Sequence, residues 1–422
     1  MSDMTLRLAS LVGLGLMVGL AWLCSENRSR FSLRIVAWGI GLQFAFALLV
    51  LRTGFGRAFF DGVKRAFDVI TEASDAGARF VFGNLYRVFI IDKVTVIGAQ
   101  GPESADNFAV SAVLAFHVLP VIIFVSALAA ILQHFGIIQA VVRAMAWLMR
   151  RTLKTSGAET FGTALLVFLG IESMSALGGY LKTMTRSEMF TIMTAFLATI
   201  AASVMVAYAG FGASPGHLLA ASIMSAPAAL VMAKLLVPEM GNPETAGRVR
   251  IQIPVESHSI FDAASRGGAL GLAMALNVGA MLIVFVGLIF LLDYAVTGVT
   301  GHTTTELLGW LFRPFALAMG IAPRDVPEVG QLLAVKSVFN EFLAYEQLQP
   351  LIREQVISPR SIMIATYALC GFANPGSLGI MIGALAALAP ERRSEVAALS
   401  IRAFLGGTLA CFMTACVAGV LG

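Results

Sequence analysis

The sequence predicts an all-α polytopic membrane protein: eight transmembrane helices plus two re-entrant hairpins in an inverted repeat, with interfacial helices beside them. Three observations carry this expectation. Of 422 residues, 58% are hydrophobic and 13% are charged, about half the charged share of a soluble domain. Uncharged stretches of bilayer-spanning length recur along the chain. Two further apolar segments carry a glutamate and a polar cluster at their middle, which a plain span avoids.

In chain order, Leu8–Ser25 and Ile35–Leu51 contain no Asp, Glu, Lys or Arg and read as the first two spans. The first is long enough to be retained rather than cleaved as a leader. Between Gly56 and Val81, Phe59, Phe60, Val63, Phe67 and Ile70 recur at helical spacing among charged residues, the pattern of an amphipathic helix at the membrane surface. Asn107–Val142 is uncharged over more length than one helix needs, so it holds the third span plus a further segment. Phe161–Arg186 carries Glu172 and reads as the first hairpin. Ser187–Phe211 is an interrupted fourth span, and the turn-rich Gly212-Ala-Ser-Pro-Gly216 leads into the fifth, Pro215–Val237. Gly267–Leu292 is the sixth, and its glycines permit close helix packing.

Val329–Gln349 is the second hairpin, with Lys336, Asn340 and Glu341 at its centre, followed by spans seven and eight at Ser361–Pro390 and Ala403–Leu421. Within the seventh, Pro375 removes a backbone donor and two glycines loosen the helix, so an unwound stretch is expected around Asn374–Ser377. The order of hairpin, interrupted span and plain span thus occurs twice. With hairpins entering from opposite sides, such a repeat builds a solute site at the midplane and alternates its exposure. Residues 1–160 (spans one to three and the interfacial helix) and 238–306 (a cytoplasmic loop and span six) are expected to be scaffold. Residues 161–237 and 307–422 are expected to be the two transport repeats.

Lys and Arg residues fall where the positive-inside rule wants them if the N-terminus is external. Arg28, Arg30 and Arg34, then Arg143, Arg150, Arg151 and Lys154, then Lys234, Arg248, Arg250 and Arg266, then Arg392, Arg393 and Arg402, all share the cytoplasmic side. These loops account for a net charge of +4 and a pI near 9.0, and no basic-aromatic pattern points to nucleic acid. The four cysteines and five histidines have no metal-ligand spacing. No cofactor is expected, and neither paired catalytic carboxylates nor a nucleophile with its base marks an enzyme.

Charge at membrane depth costs about 2.5 kcal/mol or more and marks functional positions. Glu341 is therefore the first candidate for a solute contact, with Asn340 beside it, and Asn374 and Ser377 in the polar break of span seven. Lys336 is read as structural, paired with hairpin carbonyls or a carboxylate.

Lys336-Ser-Val-Phe-Asn-Glu-Phe-Leu-Ala-Tyr345 resembles the KxxxNEFxA signature of the concentrative nucleoside transporters, and Gly371-Phe-Ala-Asn-Pro-Gly-Ser377 resembles their GFANxxS segment. The similarity extends over nearly the whole chain, including Ala127–Leu132, Ala275–Leu282 and Leu308–Phe312. The resemblance implies a bacterial inner-membrane symporter working as a homotrimer, with nucleosides as substrate. It implies that Glu341, Asn374 and Ser377 hydrogen-bond the ribose, with Val204 an apolar contact and Phe372 packing nearby. A carboxylate accepts from two vicinal hydroxyls, which agrees with that role.

The first hairpin departs from the family. Where relatives have Gly-Gln-Ser/Thr-Glu, this chain has Gly170-Ile171-Glu172-Ser173. Ile171, Glu172 and Ser173 remain site candidates, but the base-reading glutamine is absent under either alignment, which keeps a non-nucleoside or modified ribosyl solute open. The asparagine of sodium-coupled members becomes Leu165 or Leu166, although Thr199 keeps the hydroxyl of the fourth span. Candidates at the coupling-ion position are Thr199, Ile200 and Glu172. An alkyl side chain offers sodium no ligand, so the balance tips slightly to H+ over Na+, with Glu172 or Glu341 as the carrier, since burial raises a carboxyl pKa.

Overall fold

The computed structural model describes residues 3–83, 94–98, 101–105, 114–245 and 257–422. Side chains are not described for Leu114, His117, Glu172 and the residues of 94–105. Helices α1 (Asp3–Leu23) and α2 (Leu33–Arg52) are the first two spans. Helix α3 (Gly54–Phe82) is opened by Thr53, whose hydroxyl accepts from Gly56 N, an N-cap that satisfies one orphan donor. Its Phe59, Phe60 and Phe67 pack on the core while Asp61 and Arg65 face outward. This is the interfacial helix expected from the spacing. A short antiparallel hairpin follows, β1 (Val94–Gly98) with β2 (Gly101–Ala105).

The expected third span resolves into α4 (Leu119–His134) and α5 (Ile137–Leu153), which turn by 76° relative to each other. The turn is made at Gly136, whose φ of 76° is left-handed and suits glycine. Part of that expected span, residues 107–113, lies outside the described residues. Hairpin one is α6 (Gly157–Leu169), a 3-10 segment Ile171–Leu177 and a helical turn Gly178–Leu181. It begins four residues earlier than its apolar pattern indicated, because Ser156 and Glu159 form a capping box that starts the helix. A second capping box, Thr185 with Glu188, opens α7 (Arg186–Ala198). The fourth span then breaks and resumes as α8 (Ala202–Gly210), and α9 (Pro215–Leu236) is the fifth.

Helix α10 (Ile260–Thr300) runs for 41 residues, well past the roughly 20 a bilayer needs. It packs along α4, where a Cβ at Gly267 would meet Ser126 O at 2.6 Å and one at Gly271 would meet Ile123 Cα at 2.6 Å. Its small residues therefore serve close packing. One element was not foreseen: α11 (Thr304–Ala318), started by the Thr303–Glu306 capping box and packed on α12 (Val326–Val338).

Helices α12 and α13 (Glu341–Arg353) are the limbs of hairpin two, α14 (Pro359–Leu369) and α15 (Pro375–Leu388) form the broken seventh span, and α16 (Arg393–Leu421) is the eighth. The break in the seventh span is Cys370–Asn374, one turn before the expected Asn374–Ser377. Proline lacks only a donor that the first helical turn leaves unpaired anyway, so Pro375 starts α15 instead of disrupting it. Asn374 is its N-cap, accepting from Ser377 N at 2.8 Å.

The hairpin, broken-span and plain-span order recurs as α6–α9 and α12–α16, the inverted repeat. Helix α16 packs on α1, α7, α9 and α14. The apolar stretch of the fourth span is 94% buried, against 6% in α10. Ile283, Val284, Phe290 and Leu291 of α10 face outward, as a face that meets lipid or another subunit does. Spans four, five and eight are thus the most buried, and α10 the least.

Candidate functional site

Two helix breaks and two hairpin tips meet inside the core. Each places a helix N-terminus at the meeting point, a local positive end that favours an anionic or hydrogen-bond-accepting group. Asn340 caps α13, its side chain accepting from Leu343 N at 2.8 Å, which sets Glu341 as the first residue of that helix. Asn374 caps α15 in the same way.

A cavity of about 240 Å³ occupies this point. Glu341, Asn340 and Phe342 of hairpin two, Asn374, Ser377 and Phe372 of span seven, Val204 of span four and Ile171 of hairpin one all line it. The structure therefore brings together seven residues singled out in the sequence: Glu341, Asn374, Ser377, Ile171, Val204, Phe372 and Asn340. Phe196 and Phe372 approach at 5.6 Å between ring centroids on one wall, and α10 closes the cavity with Met274, Asn277 and Met281.

Glu341 is held from both sides. Tyr208 OH donates to Oε1 at 2.9 Å, and Asn374 Nδ2 donates to Oε2 at 2.6 Å. Asn374 thus caps a helix with its oxygen while its amide nitrogen orients the carboxylate. Lys336 is fully buried and gives its Nζ to Ala368 O at 2.7 Å, beside the break in span seven. Among the described residues no ion pair within 4.0 Å joins it to Glu341, so the glutamate is not simply the partner of that lysine.

The other candidates fall elsewhere. Ser173 donates to Gly170 O at 2.6 Å and lines a neighbouring cavity of about 190 Å³ with Ser126, Ser203 and Arg266. The side chain of Glu172 lies outside the described residues. Thr199 and Ile200 are buried in the break of span four and do not line the main cavity. Thr199 Oγ1 donates to Ala195 O at 2.8 Å. The carbonyls of Val167 and Ile200 both lie 3.4 Å from Ser222 Oγ, so hairpin one and span four converge on one hydroxyl of α9. Leu165 and Leu166, just before Val167 in the chain, are buried and carry only alkyl side chains.

Sequence reasoning missed Tyr208 and Asn277. A tyrosine in an apolar helix carries no local signal of its partner. Asn277 did carry one, being an amide in an otherwise apolar span.

Known proteins are similar to this chain over nearly its whole length. The family description "Na+ dependent nucleoside transporter" matches at its N-terminal part over residues 12–85 and at its C-terminal part over residues 217–419, with "Nucleoside recognition" over residues 115–215. The uncharacterized transporter YutK of Bacillus subtilis is 37% identical over 97% of this chain and 98% of its own length. The chain belongs to the concentrative nucleoside transporter family. Another member, solute carrier family 28 member 3 of Mus musculus, is 39% identical over 98% of this chain, which spans 59% of that protein's length. The sodium/nucleoside cotransporter 1 of Homo sapiens is 33% identical, and the chain spans 64% of it. Among solved members, CNTnw in an inward-facing substrate-bound state superposes with a TM-score of 0.90 at 33% identity, covering 98% of both chains. A doubly substituted form of CNTnw in an outward-facing state gives a TM-score of 0.89 at 32% identity, covering 98% of this chain and 97% of that one.

Proposed function

We propose that this protein is an ion-coupled importer of ribonucleosides in the bacterial cytoplasmic membrane. It works by alternating access as a homotrimer in which residues 161–237 and 307–422 move against residues 1–160 and 238–306. The observation that carries this reading is the cavity wall formed by Glu341, Asn374 and Ser377. A carboxylate whose two oxygens each already accept one bond keeps acceptor capacity for two vicinal hydroxyls, which is what a ribose offers. The capture of one relative, CNTnw, in an inward-facing state and, doubly substituted, in an outward-facing state supports the alternating mechanism. The buried spans four, five and eight and the exposed α10 suit a mobile core inside a static scaffold.

On the base side the wall is apolar: Ile171, Phe196, Phe372 and Val204. Such a wall packs on a base without reading its edge, so base preference is weak. The same Ile171 supports a second reading, a non-nucleoside or modified ribosyl solute.

For the coupling ion we favour the proton, because Leu165 and Leu166 supply no oxygen to the convergence of Val167 O and Ile200 O. Sodium is the second reading, favoured by Ser222 Oγ at that same convergence and by Thr199. Uptake of labelled uridine and adenosine into proteoliposomes, with sodium and pH gradients imposed separately, tests both levels. Accumulation on a proton gradient without sodium is expected. Uptake that needs sodium and ignores pH replaces the proton by sodium, and a protein that moves no nucleoside has another substrate.

A further inference from the structure

The hydroxyl of Tyr208 is spent on Glu341. This side chain is fully buried, lies outside the cavity lining and belongs to the first repeat, whereas Glu341 belongs to the second. The ring packs on the helix that carries Glu341: it stacks on Tyr345 at 4.3 Å with 16° between planes and meets Phe342 in a T-shaped contact at 5.7 Å. Both contacts come from α13, so the phenol is seated against the helix that begins at Glu341 and its hydroxyl is aimed at that carboxylate.

We infer that Tyr208 is a positioning residue that sets which hydroxyl pattern the site accepts. The inference rests on the reading of Glu341 as the ribose contact. A free carboxylate rotates and can meet one hydroxyl as well as two. Here Tyr208 takes Oε1 and Asn374 takes Oε2, two donors from different spans that lock the carboxylate plane. One acceptor position on each oxygen is left toward the cavity, matched to a cis-diol. Tyr208 therefore acts through Glu341 on selectivity without touching substrate.

Removing the hydroxyl frees one edge of the carboxylate. Tyr208→Phe is expected to raise KM for uridine about 10-fold with maximal rate within about twofold of wild type. It is also expected to bring the preference for uridine over 2′-deoxyuridine close to one, since the carboxylate no longer presents both oxygens together. Tyr345→Phe is the matched control. It removes another buried phenol of the same stack, one that donates to Thr366 O at 2.8 Å, and should leave the preference intact.

Because coupled sites are non-additive, Tyr208→Phe added to Glu341→Gln should change binding no further than Glu341→Gln alone. If Tyr208→Phe does not fold, 3-fluorotyrosine at position 208, which keeps the ring and alters the donor, should still shift the preference. An unchanged preference and KM in the folded variant overturns the assignment, as does an equal shift in Tyr345→Phe. The outcomes separate the two levels of the argument. Wild-type protein that binds no nucleoside removes the functional reading, whereas wild-type discrimination that survives in Tyr208→Phe removes only the role of Tyr208.

Discussion

Lys234 Nζ sits 2.7 Å from Glu159 Oε2, and neither side chain is more than 5% exposed. The lysine also donates to Ser187 Oγ at 2.9 Å and reaches Glu239 at 3.3 Å. Ser156, the cap of hairpin one, donates to Glu188 at 2.5 Å, the glutamate that closes the capping box of span four. The start of hairpin one, the start of span four and the end of span five are therefore joined by one buried polar cluster. An equivalent cluster lies in the second repeat, where Asp325 accepts from Ser358 N at 3.0 Å and from Ser358 Oγ at 2.7 Å.

Removing one member of a buried pair leaves an uncompensated charge and costs about 3–5 kcal/mol. Lys234→Met is accordingly expected to lower the thermal unfolding temperature in detergent sharply. Lys234→Met combined with Glu159→Gln should recover part of the loss. Equal melting of the single variant and wild type would mean that the cluster is not stabilising.

Glu341→Gln keeps size and folding but exchanges a charged acceptor for a neutral amide, and charge-assisted hydrogen bonds are roughly twice as strong as neutral ones. Uptake should fall at least 10-fold, and nucleosides should no longer protect against heating. Wild-type uptake by this variant would exclude Glu341 from the site.

Leu165 and Leu166 bear on coupling. On the proton reading, asparagine at one of these two positions, just before Val167 in the chain, supplies the oxygen that leucine lacks, and uptake by that variant should gain a sodium dependence. The measurement is initial uptake rate against sodium concentration at constant pH. A sodium-independent rate in both Leu165→Asn and Leu166→Asn would count against an ion position here.

At the protein surface the Arg186 hydrogen bond holds Glu26 below its ordinary value of 4.5, against the opposing effect of partial burial and with help from the Arg186 and Arg402 charges. A carboxyl lowered on folding stabilises above its unfolded value and loses that contribution as pH falls through the folded one. The cluster should therefore be at full strength at neutral pH and fade below about pH 4.5. The pair is well exposed, so the effect is about 1 kcal/mol or less. Comparing the pH dependence of melting in wild type and Glu26→Gln checks the direction; identical acid limbs would refute it.

Much of this architecture is written locally. Uncharged runs marked the spans, a glutamate within an apolar segment marked each hairpin, and the aromatic spacing of 56–81 marked α3, because a bilayer imposes its length and polarity on each segment separately. Capping boxes at Ser156, Thr185 and Thr303 are legible over four residues, yet the reading by hydropathy passed over them. It therefore placed hairpin one late and overlooked α11. Proline in span seven was read as a breaker, whereas in the fold it begins a helix, since its missing donor costs nothing in a first turn.

The sequence by itself determined the spans, the two hairpins, their repetition and the polar residues committed to membrane depth, for each depends on a few neighbouring positions. Only the tertiary structure decided their partners. Tyr208 meets Glu341 across 133 residues, Lys336 turns to Ala368 O and not to the carboxylate five residues away, and Lys234 neutralises Glu159. Apolar burial is non-directional and can be read from composition. A hydrogen bond needs two groups at a set distance and angle, and packing of distant helices alone brings those groups there.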